Sequence, residues 1–343
     1  MSINPEQIRN FLLSNGNLLV VTHFSPDGDA VGSLLAFGGI LDQLGVEYIL
    51  AIDDVIPEKY NFLPGYELIH SLSEEPIDRV FDRVAILDAG ALPRIGSAQS
   101  CIGKETKVLN IDHHYTGPYY GDINYVDVEA CATAEILYDL CNELGLEINR
   151  QIAYGLYVGI LADTGRFRFS NTSPRALEIC SKLISKGVDP GWITENVYYN
   201  QPFESFQTLS IALSTLELHH DGLVCLISID RSYSKNDTEG FVEHAASIKG
   251  VVLAAFIKEM NEGFLKVSLR SRCRVDVAEV ARKFGGGGHL KAAGFRFVGK
   301  KDYLVKKLLE EFGRQINHHK IRLGGRFIEQ VSVAGKENII AES

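Results

Sequence analysis

The sequence predicts an α/β protein with an N-terminal, mainly parallel sheet carrying helices on both faces, followed by a smaller α/β C-terminal domain. Three observations predict it. Apolar, strand-like runs alternate with segments of helical periodicity through the first half of the chain. Three of those runs end in Asp/His-rich clusters, where open α/β sheets bind ligands. The β/α rhythm is lost between Pro190 and Glu217, and a second series of strand-like runs follows.

The elements follow in order. Leu18 to Thr22 reads as a strand, and after Asp29 the apolar residues Ala30, Val31, Leu34, Leu35, Leu41 and Leu44 keep helical spacing until Gly45. Tyr48 to Ile52, Val84 to Leu87 and Val108 to Ile111 are further strands. Helices are expected from about Thr133 to Leu144 and from Pro174 to Ser185, the latter with Ser173 as N-cap, Pro174 at the first position and Gly187 beyond its end. The expected domains are 1–190, a linker with a connecting helix at 191–217, a second domain at 218–312, and a tail at 313–343 of unknown role. In the second domain Leu223 to Ile229, Val251 to Ile257 and Phe264 to Leu269 read as strands. A helix from about Val275 to Phe284 runs into Gly285-Gly286-Gly287-Gly288-His289. There is no internal repeat.

The 343 residues, 45% of them hydrophobic, suffice for two cores. No run of about 18 apolar residues exists, so no membrane span is expected. The segment Met1 to Glu6 lacks the basic start and apolar core of a secretion signal, which predicts a cytoplasmic protein. The six cysteines, Cys101, Cys131, Cys141, Cys180, Cys225 and Cys273, form no Cys-x-x-Cys pair and read as buried thiols. The net charge of -10 would oppose a polyanionic ligand, but it is unevenly spread. Phe264 to Arg326 holds 16 Lys/Arg against 5 Asp/Glu, leaving -21 elsewhere. An acidic half suits divalent metals and a basic half suits phosphates.

The chemistry concentrates in four places. His23, Asp27 and Asp29 follow the first strand, with Gly28 allowing a tight turn and a helix N-terminus immediately beyond. An Asp N-cap would explain one of these carboxylates, but neither the second nor the histidine. Asp88 ends the strand of Val84 to Leu87, Asp112-His113-His114 leaves the strand of Val108 to Ile111, and Asp163 ends the apolar stretch before Thr164-Gly165-Arg166. The glycine run follows a helix rather than a strand and carries no Walker pattern, so neither a Walker nor a Rossmann assignment holds. Its backbone N–H groups can still approach a phosphate.

His23-x-x-x-Asp27-x-Asp29, Asp88, Asp112-His113-His114 and Asp163 match in order the four motifs of the DHH phosphoesterase superfamily. Gly285-Gly-Gly-Gly-His289 matches its DHH-associated C-terminal domain. The resemblance spans roughly residues 1–312. With Arg270-Ser-Arg272 before the glycine run and Lys291-Ala-Ala-Gly294 after it, the chain looks most like the bifunctional oligoribonuclease (nanoRNase) and pAp phosphatase type.

That resemblance implies one metal held by His23, Asp27 and Asp88, and a second held by Asp29, Asp88, His113 and Asp163, with Asp88 bridging and therefore catalytic. Mn²⁺ suits the mixed carboxylate and imidazole donors, with Mg²⁺ the second choice. His114 would contact the scissile phosphate or protonate the leaving oxygen, and Asp112 would orient a ligand. Arg270, Arg272, Gly286, Gly287, Gly288 and His289 would bind substrate, which would put the active site in the interdomain cleft. The implied activity is hydrolysis of short RNA or DNA oligonucleotides to nucleoside monophosphates, and of 3'-phosphoadenosine 5'-phosphate (pAp) to AMP. A cyclic-dinucleotide or linear pApA phosphodiesterase is the alternative within the superfamily, and a non-catalytic nucleotide or RNA sensor the alternative outside it. No membrane partner is expected, and a homodimer is compatible with the sequence.

Overall fold

The computed structural model describes residues 5–114, 119–261 and 263–321, and the chain forms two compact units that divide between Asn200 and Gln201. The first contains α1 (Pro5–Leu13), β1 (Leu18–Val21), α2 (Gly28–Leu44), β2 (Tyr48–Ile52), β3 (Ile69–Ser71), β4 (Phe81–Leu87), β5 (Ile102–Asp112) and β6 (Ile123–Val126). α3 (Thr133–Glu143), α4 (Arg150–Asp163), α5 (Pro174–Ser185) and α6 (Pro190–Tyr198) complete it.

Its six strands lie in the order β3-β2-β1-β4-β5-β6, and every pairing is parallel. β1 hands the chain through α2 to β2 on one side, while β4 pairs with its other side. The topological switch therefore falls between β1 and β4, where open α/β sheets bind their ligands. The strands are buried on both faces, which is why their runs are unbroken rather than alternating. Leu18, Val20, Ala85, Leu87, Leu109 and Ile111 join the core made with α1 to α6. Leu19, Val21, Val84, Ile86 and Val108 face the opposite side, where a 3-10 segment at Leu92–Cys101 contributes Ile95, Ala98 and Cys101. α-helices thus cover one face and tighter helical turns the other.

α2 ends as the sequence predicts, with Gly45 at φ 67 accepting the left-handed conformation. α5 spans the expected residues and is capped by Ser173, whose side chain accepts from the Ala176 N–H. α4, by contrast, turns a long apolar run into a helix. It packs on α2 where Gly32 meets Gly155: a Cβ on Gly155 would lie 2.5 Å from the Gly32 carbonyl oxygen. This close approach brings the C-terminal end of α4, and hence Asp163, beside the first turn of α2.

The second unit contains α7 (Phe203–Ser214), β7 (Glu217–His219), β8 (Val224–Ile229), α8 (Phe241–Ala246), β9 (Leu253–Asn261), β10 (Phe264–Ser271), α9 (Val277–Lys283), β11 (Gly287–Gly288), β12 (Ala292–Val298) and α10 (Lys301–His318). Its sheet runs β11-β12-β10-β9-β8-β7, with β8 and β9 parallel and the remaining pairs antiparallel. One face packs on α9 and α10 and the other on α7 and α8. The expected end of this domain at residue 312 falls inside α10, where Gln315 and Ile316 are buried, so the fold extends further. α6 contributes Ile193 and Val197 to the first core, and α7 contributes Ala212 to the second. The expected tail beyond residue 321 lies outside the described residues. All six cysteines are buried and free. Among the described residues, no helix is long and apolar enough to cross a membrane.

Candidate metal centre

The carboxyl ends of β1, β4 and β5 deliver His23, Asp88, Asp112, His113 and His114 to one place, and α2 and α4 add Asp27, Asp29 and Asp163. Each histidine is turned by the bond its other ring nitrogen makes. His23 Nδ1 lies 2.9 Å from the Phe24 carbonyl, so its N–H donates there and Nε2 faces Asp88 Oδ2 at 3.7 Å and Asp27 Oδ1 at 4.0 Å. His113 Nδ1 lies 3.2 Å from the Ala130 carbonyl in the same way. Its Nε2 then reaches Asp163 Oδ2 at 3.0 Å, Asp88 Oδ1 at 3.5 Å and Asp29 Oδ2 at 3.9 Å.

The carboxylates are held just as firmly. Asp27 is the N-cap of α2, its Oδ1 accepting the Asp29 and Ala30 N–H groups at 3.1 Å, so capping and facing the cluster are compatible in one side chain. Asp29 caps a different helix. α3 has Ala132 at its N-cap, and Asp29 supplies the missing acceptor by taking the Thr133 N–H at 2.6 Å and the Ala134 N–H at 3.1 Å. Asp88 sits at φ 57, a left-handed conformation that costs energy in a non-glycine residue, with its carboxylate between His23 Nε2 and His113 Nε2. Thr133 Oγ1 donates to Asp88 Oδ1 at 3.0 Å. Thr133 thus tethers two of the cluster's carboxylates, a role hidden in the sequence behind an ordinary helix start.

Asp112 orients His114. Its Oδ1 lies 2.7 Å from His114 Nδ1 and accepts the His114 backbone N–H at 3.0 Å, while Oδ2 accepts the Gly90 N–H at 2.6 Å. His114 therefore presents Nε2 away from Asp112.

The electrostatics of this crowd favour a cation. Burial, then the neighbouring Asp29, Asp27, Asp163 and Asp112 charges, push the Asp88 carboxyl well above its ordinary range. Burial and Asp163 raise Asp29 to about 7. Burial lowers His23 to about 4, with the Arg94 charge adding to the effect. Burial also opposes protonation of His113, but its bond to Asp163 and the surrounding carboxylates win and raise it to about 10. Asp112 goes the other way, to about 2, because His114 outweighs its burial. Donor atoms of His23, Asp27 and Asp88, and of Asp29, Asp88 and His113, lie within 4.8 Å of one another in each group. Ligands about 2.1 Å from a shared ion stand roughly 3–4 Å apart, so these side chains fit divalent cations.

The expected substrate residues of the second unit are more committed. Arg270 donates through Nε and Nη2 to Glu243 Oε1 at 2.8 and 2.7 Å, and through Nη1 to the Leu269 carbonyl. Arg272 donates to the Ala246 carbonyl at 3.0 Å, so both arginines turn to α8. The glycine run is crowded at alternate positions: Gly285 turns the chain out of α9 at φ 79, and a Cβ on Gly286 would meet the Gly294 carbonyl oxygen at 2.2 Å, one on Gly288 the Ala292 carbonyl oxygen at 2.6 Å. A Cβ on Gly287 would meet nothing within 4 Å. His289 begins the turn into β12, its N–H donating to the Ala292 carbonyl at 2.7 Å.

Comparison with known proteins agrees with this architecture. Residues 17–160 match the DHH family, N-terminal domain, and residues 221–318 match the DHHA1 domain. The chain is 34% identical over 299 residues to the bifunctional oligoribonuclease and PAP phosphatase NrnA of Thermus thermophilus, covering 86% of this chain and 89% of that protein. A crystal structure of an exopolyphosphatase-related protein from Bacteroides fragilis superposes with a TM-score of 0.82 at 27% identity, covering 91% of this chain and 97% of that one. RecJ of Thermus thermophilus in complex with Mn²⁺ shares the fold, with a TM-score of 0.52 at 14% identity over 90% of this chain and 54% of that one. The chain belongs to the DHH family of phosphoesterases, carries the DHHA1 domain of that family, and is a phosphoester hydrolase.

Proposed function

We propose that this protein hydrolyses short oligonucleotides to nucleoside monophosphates and pAp to AMP, using two divalent metals with Mn²⁺ preferred. One observation carries the reading: Asp88 lies between two donor groups, with Nε2 of both His23 and His113 turned toward it. His23, Asp27 and Asp88 would hold one ion, and Asp29, Asp88, His113 and Asp163 the other. When bound, such a pair lowers the pKa of a water and neutralises phosphate oxygens. The relative from Thermus thermophilus, named for both activities, supports the choice of substrates.

The chain's own residues divide the remaining work. His114, fixed by Asp112, offers Nε2 to the scissile phosphate or the leaving oxygen. Asp29 and Asp88, held by Thr133, keep their positions without help from substrate. Arg270, Arg272, Gly286 to Gly288 and His289 would take the remaining phosphate and the base. For Arg270 this requires sharing its guanidinium with Glu243.

Chromatography of the products formed by the Mn²⁺-loaded protein tests the proposal, with pAp, short RNA and DNA, pyrophosphate and cyclic di-AMP as substrates. Monophosphates from the oligonucleotides and AMP from pAp are expected. Activity confined to cyclic di-AMP or pyrophosphate would overturn the substrate assignment. Binding of pAp without any product, undiminished by Asp88→Ala, would indicate a sensor instead.

A further inference from the structure

Arg94 stands beside the cluster and has no part in the roles assigned above. It belongs to the 3-10 segment that follows Asp88, and its backbone knits two loops of the site together. Its carbonyl accepts the Phe24 N–H at 2.9 Å, next to His23, and its own N–H donates to the Ala91 carbonyl at 2.9 Å. The side chain is half-buried, and Nη1 donates to the Ala89 carbonyl at 3.3 Å. Among the described residues no carboxylate lies within ion-pair distance of it. Arg83 and Arg270 differ: carbonyls occupy the first and Glu243 the second.

The guanidinium and His114 converge over Gly90. That glycine has φ 70, and a Cβ on it would lie 3.3 Å from the His114 ring and 3.6 Å from Arg94 Nη1. The Arg94 charge is also felt by His23, Asp27 and Tyr120. The position is therefore that of a forked cation near the carboxylates and next to the buried His114 imidazole.

We propose that Arg94 is a phosphate-binding residue that acts with His114 on the scissile group and favours a terminal phosphate monoester over an internal diester. This rests on the hydrolase reading given above. A monoester carries close to two negative charges at neutral pH and a diester one, and a guanidinium fork pairs with two oxygens at once. The extra charge gives Arg94 more to stabilise on pAp than on a dinucleotide.

The test compares full-length wild type, Arg94→Gln and Arg94→Lys, all with Mn²⁺. Steady-state kinetics on pAp and on a dinucleotide are combined with calorimetric binding of inorganic phosphate. Arg94→Gln is expected to lower kcat/KM on the order of 100-fold for pAp and on the order of 10-fold for the dinucleotide. It should weaken phosphate binding and leave Mn²⁺ affinity unchanged, and Arg94→Lys should recover part of the pAp loss. Equal losses on the two substrates, or undiminished phosphate affinity, would overturn the assignment. A wild type inactive on both substrates would instead remove the substrate assignment proposed above, with phosphate affinity in Arg94→Gln still deciding whether Arg94 binds the anion.

Discussion

A single carboxylate, Asp112, fixes both the ring of His114, through a 2.7 Å contact from Oδ1 to Nδ1, and the loop after Asp88, through a 2.6 Å bond from the Gly90 N–H to Oδ2. The arrangement selects one orientation of the imidazole. Asp112→Asn keeps the shape but weakens that selection, since an amide can donate to Nδ1 as readily as accept from it. We expect kcat to fall on the order of 100-fold, with KM and Mn²⁺ affinity changed little. Manganese titration alongside steady-state kinetics checks this; a lost metal site would show that Asp112 supports the ligands rather than His114.

Asp88 carries the opposite kind of burden. Its carboxyl is raised by burial and by four neighbouring aspartates, so its ionisation is penalised in the fold. For a carboxylate with a raised folded pKa, the penalty is absent below its ordinary value near 3.8 and grows as pH rises toward the folded value. Asp88→Asn should therefore raise the melting temperature of the metal-free protein at neutral pH. It should also reduce hydrolysis to background and remove the thermal stabilisation that Mn²⁺ gives the wild type, which at 100 times the dissociation constant is about 2.7 kcal/mol. Melting curves with and without Mn²⁺ decide the matter. A variant still stabilised as strongly as wild type would deny Asp88 its bridging place.

Much of this was legible because polar residues interrupt apolar runs at strand ends. His23, Asp88 and Asp112-His113-His114 stand out for that reason, and Ser173, Pro174 and Gly187 frame α5 by their intrinsic backbone preferences. Asp163 was visible as a carboxylate, but its partner His113 was fixed only when α4 folded as a helix against α2. Tertiary packing also chose the acceptor for the α3 N-terminus, 104 residues away at Asp29, and placed Glu243 against Arg270. No local pattern encodes such pairings. The sequence does not mark β12, since Ala292 to Val298 is only partly buried and its apolar character is diluted by Gly294 and Arg296.

The contact between α2 and α4 should be sensitive to a single methyl. A Cβ on Gly155 would meet the Gly32 carbonyl at 2.5 Å and the Ala36 nitrogen at 3.1 Å, both backbone atoms that cannot swing aside. Gly155→Ala should cost about 1–3 kcal/mol through overpacking. By shifting α4 it should also draw Asp163 away from His113 and weaken one of two Mn²⁺ affinities. Denaturant unfolding and calorimetric titration report the two effects separately. Loss of stability with both metal affinities intact would mean that α4 yields without moving its C-terminal end.

In the second unit, Glu311 binds α10 to α9. Its carboxylate accepts from Lys283 Nζ at 2.7 Å, Arg314 Nη2 at 2.6 Å and Gln315 Nε2 at 2.9 Å. Burial opposes its ionisation, but these donors prevail and hold it at about 2 against an ordinary 4.5. A depressed folded value contributes stability that is fully present above pH 4.5 and is lost as pH falls toward 2. Because Lys283 and Arg314 are partly solvated, the whole network is worth about 1–2 kcal/mol rather than the full shift. Glu311→Gln should therefore destabilise the protein by about that amount at neutral pH, and the difference from wild type should shrink as the buffer is taken below pH 4.5. Urea unfolding across that range measures it; a difference independent of pH would assign Glu311 a packing role instead of an electrostatic one.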